Sequence, residues 1–294
     1  MKILVALDGS DCSRSVIDHC LSSVFDEDTQ LKLISVVDYF EPLPALEGIK
    51  EIEIESARKL LAKEAGRLME RFPSLNVSYR VLDGYIKSKI MEEARDWRAD
   101  LIMLGSHGRR GIEKLLLGSI SLAILNHAAI PVRVVRKGAS AEGSFEVMLC
   151  MDDSRYSREA LERVLIIQSM TSKLPSDCRF SLVSVIFPLP DAPNAPDSQR
   201  FQLEDRKRKH QEDAERILSQ AESRIKDKFG EKTEVVKLVE SGDARDRILA
   251  VARERKPTLI FMGSHGRGAF DRALMGSVSE AVVNLAETTV EIVR

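Results

Sequence analysis

Leu101–Ser121 reads LIMLGSHGRRGIEKLLLGSIS and Leu259–Ser279 reads LIFMGSHGRGAFDRALMGSVS. Each copy opens on a short run of large apolar residues, as a buried strand does, then sets out a glycine, two residues, a second glycine, nine residues and Gly-Ser. Gly105, Gly108 and Gly118 therefore have counterparts in Gly263, Gly266 and Gly276. A pattern written twice in one chain sets the architecture before any single element is read. The 294 residues divide into two units, 1–137 and 145–294, each long enough to bury a core of its own. Gly138–Ser144, small and polar, is the expected linker.

Outward from the repeat, both halves show the same order of elements. In the first, Lys2–Leu7 is an apolar strand, and Val16, Ile17, Cys20, Leu21, Val24 and Phe25 recur at helical spacing over a helix from Asp11 to Phe25. Strands follow at Leu31–Val37, Asn76–Leu82, Asp100–Leu104 and Pro131–Val135, separated by helices at Ile49–Phe72, Tyr85–Trp97 and Ser119–Ala128. The second half repeats this with strands at Phe145–Met151, Arg179–Ile186, Thr233–Val239, Pro257–Met262 and Thr289–Val293. Its helices are expected at Ser154–Ser169, Phe201–Phe229, Asp243–Arg255 and Ser277–Ala286. Strands alternating with helices imply an α/β fold: two tandem open parallel sheets, each covered on both faces through right-handed crossovers. In such sheets a ligand sits at the carboxyl ends of the strands where their order reverses. That rule selects the loops after Leu7 and Leu104, and after Met151 and Met262; the repeated glycines occupy one of them in each half.

Composition narrows the partners. Lys and Arg number 44 against 46 Asp and Glu, a formal charge of -2, and the signs are interspersed, so no basic face suggests nucleic acid. The run Arg206–Lys209 lies among Glu204, Asp205, Glu212 and Asp213 and reads as a solvated helix face. The apolar run Ile3–Leu7 ends in Asp8-Gly9-Ser10, a turn and helix cap rather than a cleavage site, and no stretch approaches the roughly 20 apolar residues of a membrane span. A cytoplasmic protein without a membrane partner is expected. Cys12, Cys20, Cys150 and Cys178 form no CxxC pair and read as reduced thiols, most of them buried.

The repeated loops suit a chain of phosphates. Gly105 and Gly108 are expected to turn through positive φ and to admit a phosphate without interference from a Cβ. Gly118-Ser119 opens a predicted helix whose unsatisfied N–H groups favour an anion. Ser119 and Ser121 are expected to add hydroxyl donors, and Arg109 or Arg110 to add charge; Ser277, Ser279 and Arg267 are their counterparts. There is no GxxxxGK[ST], and no GxGxxG follows either first strand, so neither a P-loop nor a dinucleotide fingerprint is present.

On these residues the chain resembles the universal stress protein family in its tandem form, since the family's ATP-binding pattern G-x2-G-x9-G-[ST] is met at Gly105, Gly108, Gly118-Ser119 and again at Gly263, Gly266, Gly276-Ser277. The resemblance implies a five-stranded parallel α/β sheet per domain with ATP, or ADP or AMP, lying across the strand ends. By the same likeness Asp8 and Asp152 sit near adenine or ribose, and Val36 and Val185 contact the adenine. Gly105, Ser106, His107, Gly108, Arg109, Arg110 and Gly111 with Ser119, Ile120 and Ser121 hold ribose and phosphates. Gly263, Ser264, His265, Gly266, Arg267 and Gly268 with Ser277, Val278 and Ser279 do so in the second half. Relatives without the glycine pattern are thought not to bind ATP. Two residues before each aspartate stand Ala6 and Cys150, both counted with the site, and Asp153 replaces Gly9, where it is expected either to repel a phosphate or to help hold a divalent cation.

His107 and His265 lie in the phosphate loops, but no acid or nucleophile recurs beside both, so shaping of the loop is expected rather than catalysis. A magnesium ion would be carried on the phosphates, with no dedicated carboxylate cage. The last strands, Val132–Val135 and Val290–Val293, are sheet edges, and single-domain relatives meet across such edges. The two halves are thus expected to pair as a pseudo-dimer, and homodimers of the chain stay open. The function expected is an ATP-binding stress or signalling protein acting on unknown protein partners. A slow ATP-hydrolysing enzyme and a scaffold that binds no nucleotide remain as alternatives.

Overall fold

A computed structural model describes residues 1–23, 25–38, 47–108, 117–136, 145–166, 178–190, 193–194, 196–266 and 274–294. The expected linker 138–144 lies outside them, as do Arg109, Arg110, Gly111, Arg267 and Gly268. The first half runs β1 (Lys2–Ala6), α1 (Asp11–Ser22), β2 (Gln30–Val37), α2 (Glu47–Arg71), β3 (Asn76–Asp83), α3 (Ile86–Asp96), β4 (Leu101–Gly105), α4 (Ser119–His127) and β5 (Val132–Val135). The second runs β6 (Glu146–Cys150), α5 (Arg155–Ile166), β7 (Arg179–Ile186), α6 (Asp197–Phe229), β8 (Glu234–Ser241), α7 (Ala244–Arg255), β9 (Leu259–Gly263), α8 (Ser277–Leu285) and β10 (Thr289–Val293).

Most ends fall within two residues of the sequence reading, and the expected end of α5, Ser169, lies outside the described residues. Two helices depart further. α1 stops at Ser22 rather than Phe25 because the Ser22 and Ser23 hydroxyls both donate to the His19 carbonyl, at 3.0 and 2.7 Å, and the Ser23 amide turns back to Cys20. α6 begins a turn early, at Asp197, directly after Pro196, whose fixed φ suits a helix entrance.

Each half forms the expected parallel five-stranded sheet, and the two join edge to edge into one sheet of ten strands. Their order is β3-β2-β1-β4-β5-β10-β9-β6-β7-β8; all neighbours are parallel except β5 and β10, which meet antiparallel with Val134 opposite Val290, Arg133 opposite Glu291 and Val132 opposite Ile292. Period-two alternation splits the core between the faces. Ile3 and Val5 point to one side with Val16, Leu61, Phe180 and Leu218, while Leu4 points to the other with Ile34, Ile124, Ile260 and Val282.

Strand order reverses between β1 and β4 in the first half and between β6 and β9 in the second. Ala6 stands opposite both Ile34 and Leu104, so the ends of β1, β2 and β4 lie side by side and their following loops diverge around one cleft. Among the described residues no helix is long and apolar enough to cross a membrane.

Candidate functional site

Each cleft is built around an aspartate just past the first strand. Asp8 Oδ1 accepts from the Ser10 amide at 3.0 Å and from the Ser13 hydroxyl at 2.5 Å, while the Ser13 oxygen accepts from the Asp8 amide at 2.8 Å. Ser10 caps α1 by accepting from the Ser13 amide. In the second half Asp152 Oδ1 accepts from the Ser154 amide at 3.0 Å, the Asp152 amide approaches the Ser157 oxygen at 3.4 Å, and the Ser157 hydroxyl donates to the Ser154 carbonyl. These serines were not among the sequence-derived site residues. Their signal was available: Asp-x-Ser-x-x-Ser occurs at 8–13 and again at 152–157.

The position between aspartate and serine needs left-handed backbone. Gly9 has φ 80°, and Asp153 adopts φ 65° in its place. The Asp153 carboxylate pairs with Arg158 Nη1 on α5 at 2.9 Å. Among the described residues no group of three or more histidines, cysteines or carboxylates converges as a metal site.

The expectation that Gly105 and Gly108 turn through positive φ is overturned. None of Gly105, Gly108, Gly118, Gly263, Gly266 and Gly276 occupies the left-handed region. They are needed for closeness. A Cβ on Gly105 would lie 2.7 Å from Cys12 Cβ, and one on Gly263 would lie 2.6 Å from Tyr156 Cβ, because the ends of β4 and β9 press against the first turns of α1 and α5. A Cβ on Gly108 or Gly266 would lie 2.8 Å from Oδ2 of Asp8 or Asp152. The return limb is equally tight: the amides of Gly118 and Gly276 donate to the carbonyls of Ser106 and Ser264 respectively, each at 2.8 Å.

Gly118 and Gly276 are the N-cap residues of α4 and α8 and supply no side-chain cap. Helical geometry leaves the amides of Ser119, Ile120 and Ser121, and of Ser277, Val278 and Ser279, without an intrahelical acceptor, at the positive end of the helix dipole. Ser119, Ile120 and Ser277 are exposed, and Val278 on the same turn is half-buried against the core. Ser121 and Ser279, expected to offer hydroxyls to the ligand, are buried, and their hydroxyls donate at 2.8 Å to the carbonyls of Gly105 and Gly263. They tie helix to strand instead.

At the strand ends Ala6 and Val36, and in the second half Val185, are half-buried and pack on the core face that also holds Ile34 and Ile260. Cys150 is buried, and its thiol is pushed up to about 12 by burial and then by Asp152. His107 Nδ1 lies 3.1 Å from the buried Ser106 hydroxyl, and burial followed by Arg136 holds its pKa below the ordinary value. His265 makes the same contact with Ser264, packs against the Tyr156 ring at a tilt of 43° with centroids 5.2 Å apart, and turns Nε2 to the Leu274 carbonyl. The clefts are therefore alike in frame and different in wall: Cys12 and Tyr156 occupy equivalent places.

The sequence model described as "Universal stress protein family" matches residues 1–136 and 145–294. The chain belongs to the universal stress protein family. A curated universal stress protein of Mycobacterium tuberculosis is 25% identical over 317 aligned positions, covering 100% of this chain and 95% of that one. A universal stress protein from Methanocaldococcus jannaschii is 33% identical over 141 positions, 46% of this chain and 82% of its own. The crystal structure of a universal stress protein from Archaeoglobus fulgidus superposes with a TM-score of 0.70 at 20% identity, covering 100% of this chain and 98% of that one, which establishes the shared tandem fold.

Proposed function

We propose that each half of this universal stress protein binds one adenine nucleotide, ATP in the first instance, and that occupancy of the two clefts sets the surface the chain presents in a stress response. The observation that carries this reading is the doubled pairing of an uncapped helix N-terminus with a glycine loop too close-packed to accept a Cβ, both at the point where strand order reverses. Such a loop brings main-chain donors to a phosphate from one side while the helix dipole acts from the other. Half-buried Ala6 with Val36, and Val185 in the second half, offer apolar surface at the strand ends for the base, and the fixed carboxylates of Asp8 and Asp152 are acceptors suited to ribose hydroxyls. Any magnesium ion would be held through phosphate oxygens and water.

The reading is of binding rather than turnover. His265 engages both ring nitrogens within its own half, so the two copies do not present the same free base. The test is to denature the purified chain, identify released small molecules by mass spectrometry, and then titrate the refilled or emptied protein with ATP, ADP and AMP. Adenylate at about one equivalent per half is expected; failure to release or bind any adenylate overturns the proposal.

A further inference from the structure

At the edge where the halves meet, four buried polar side chains form one cluster. Arg133 on β5 stands opposite Glu291 on β10. Arg133 Nε donates to Glu291 Oε2 at 2.7 Å, and its Nη2 lies 2.6 Å from the same oxygen without forming a directed hydrogen bond. Arg163, on α5, donates through Nε to Glu291 Oε1 at 2.7 Å. His19, on α1, faces Arg133 Nη1 across 3.2 Å. Glu291 is 0% exposed, Arg133 4%, His19 8% and Arg163 9%. Burial, with Arg133 beside it, lowers the His19 pKa to about 3, so the ring is neutral and the cluster holds two cations against one anion.

The two halves are related by an approximate two-fold axis, and the register places Arg133 and Glu291 on it. Gly105, Gly118 and Val134 correspond to Gly263, Gly276 and Ile292, so Arg133 corresponds to Glu291. Contacts of the same kind flank the axis from both sides. Arg136, past β5, donates to the carbonyls of Val283 and Asn284 on α8, and Arg294, past β10, donates to the Leu125 carbonyl on α4. Those contacts, and the valine and isoleucine partners, would be equally satisfied if β5 met a second β5 or β10 a second β10. The axial residues would not be. A β5–β5 seam sets Arg133 against Arg133 with neutral His19 on each side and no acid, two buried cations without a counter-charge. A β10–β10 seam sets Glu291 against Glu291 and leaves only each one's own Arg163 to answer it.

We propose that Arg133 and Glu291, with Arg163 and His19 behind them, form a pairing code that makes the β5 edge accept a β10 edge and reject its own kind, closing this seam to homotypic assembly with a second copy of the chain. A buried ion pair contributes little or nothing net to stability against apolar residues of similar size, but loss of one partner is costly because a charge is left uncompensated. Isologous pairing across a two-fold axis brings each axial residue against itself, which is where one charge per edge discriminates most strongly.

The test uses full-length chains carrying two different affinity tags, co-expressed. Glu291→Arg makes both edges cationic and Arg133→Glu makes both anionic. Together they are expected to co-purify as a one-to-one complex, since each edge of one chain complements both edges of the other, whereas wild-type chains with the same tags do not co-purify through this seam and neither variant captures itself. A second variant, Arg133→Met with Arg163→Met and Glu291→Met, removes the charges without leaving any of them unpaired. It is expected to fold and to capture differently tagged copies of itself. The proposal is overturned if the co-expressed charge variants give no mixed complex, soluble or not, or if the methionine variant excludes a second copy as completely as the wild type does.

Discussion

Oδ2 of Asp8 lies 2.8 Å from the point that a Cβ on Gly108 would occupy, and Asp152 stands in the same relation to Gly266. The carboxylate cannot simply swing aside, because Oδ1 is held by the Ser10 amide and the Ser13 hydroxyl. Gly108→Ala should therefore displace Asp8 and the loop together, in a region that is exposed and adds little to the core. The expected result is a loss of nucleotide affinity at the first cleft of about tenfold, roughly 1.4 kcal/mol, with a nearly unchanged melting temperature. Calorimetric titration beside a thermal melt checks both; an unchanged Kd would separate Gly108 from the ligand.

Gly105 and Gly263 have the opposite profile. Their neighbours are main chain and Cβ atoms of α1 and α5: for Gly263, Tyr156 Cβ at 2.6 Å, Tyr156 carbonyl carbon at 2.7 Å and the Ser157 nitrogen at 2.9 Å. Those atoms move only if the helix moves. Gly263→Ala is expected to destabilise the fold by about 2–3 kcal/mol, in the range of core overpacking, and Gly105→Ala by somewhat less, since its nearest backbone atom lies at 3.1 Å. Urea unfolding of both variants tests the order, and a larger effect at Gly105 would contradict it.

Gly118→Asp and Gly276→Asp address the helix ends. A Cβ at either position meets ordinary or slightly tight contacts, 3.4 Å to His107 Cα and 3.1 Å to the Ser264 carbonyl oxygen, so the fold should tolerate the change. Aspartate is also a favoured N-cap, and it would satisfy the very amides that a phosphate is proposed to use. Each single variant should lose about one equivalent of ATP, and the double variant both, with helix stability retained or improved. Stoichiometry measured by equilibrium dialysis decides this; unchanged stoichiometry in the double variant would sink the placement.

Much of the fold was legible because it rests on signals the chain writes twice. Apolar runs of strand length, helical spacing in Val16, Ile17 and Cys20, and glycines at matched offsets fix an alternating α/β order without tertiary information. Three features were not legible. The role of Gly105 depends on how closely α1 approaches β4, a distance no local pattern encodes. Ser121 looked like a ligand donor because hydroxyls at a helix start commonly are, and only its position one turn in, facing the Gly105 carbonyl, directs it inward. The charged seam between the halves rests on Arg133 and Glu291, which in sequence are isolated charges within apolar strands and acquire meaning only when set opposite each other. The Asp-x-Ser-x-x-Ser repeat, by contrast, was readable and explains how the aspartates are fixed.

His19 gives the junction a dependence on pH whose sign can be worked out. Its ring is buried against Arg133, with Glu291 and Arg163 completing the charged surroundings and the Cys20 thiol, raised to about 12 chiefly by burial, neutral beside them. The folded pKa is about 3, whereas in the unfolded chain the ring titrates near its ordinary 6.5. Between those values the unfolded state binds a proton that the folded state refuses, so the stabilising contribution is complete above about 6.5 and is lost as pH falls toward 3. The slope for one such group approaches about 1.4 kcal/mol per pH unit. Glu291, which burial alone would raise but Arg133 and Arg163 hold below its ordinary value, adds its own loss only at the acid end. Denaturant unfolding at a series of pH values from about 7 down to about 5 follows the histidines, His107 included, since ordinary carboxylates titrate below that range, and comparison with a His19 variant separates the share of His19. His19→Gln keeps an acceptor for Arg133 but cannot take up a proton, and it should flatten the curve over that interval; a variant as steep as the wild type would show that the buried ring is not the group responsible.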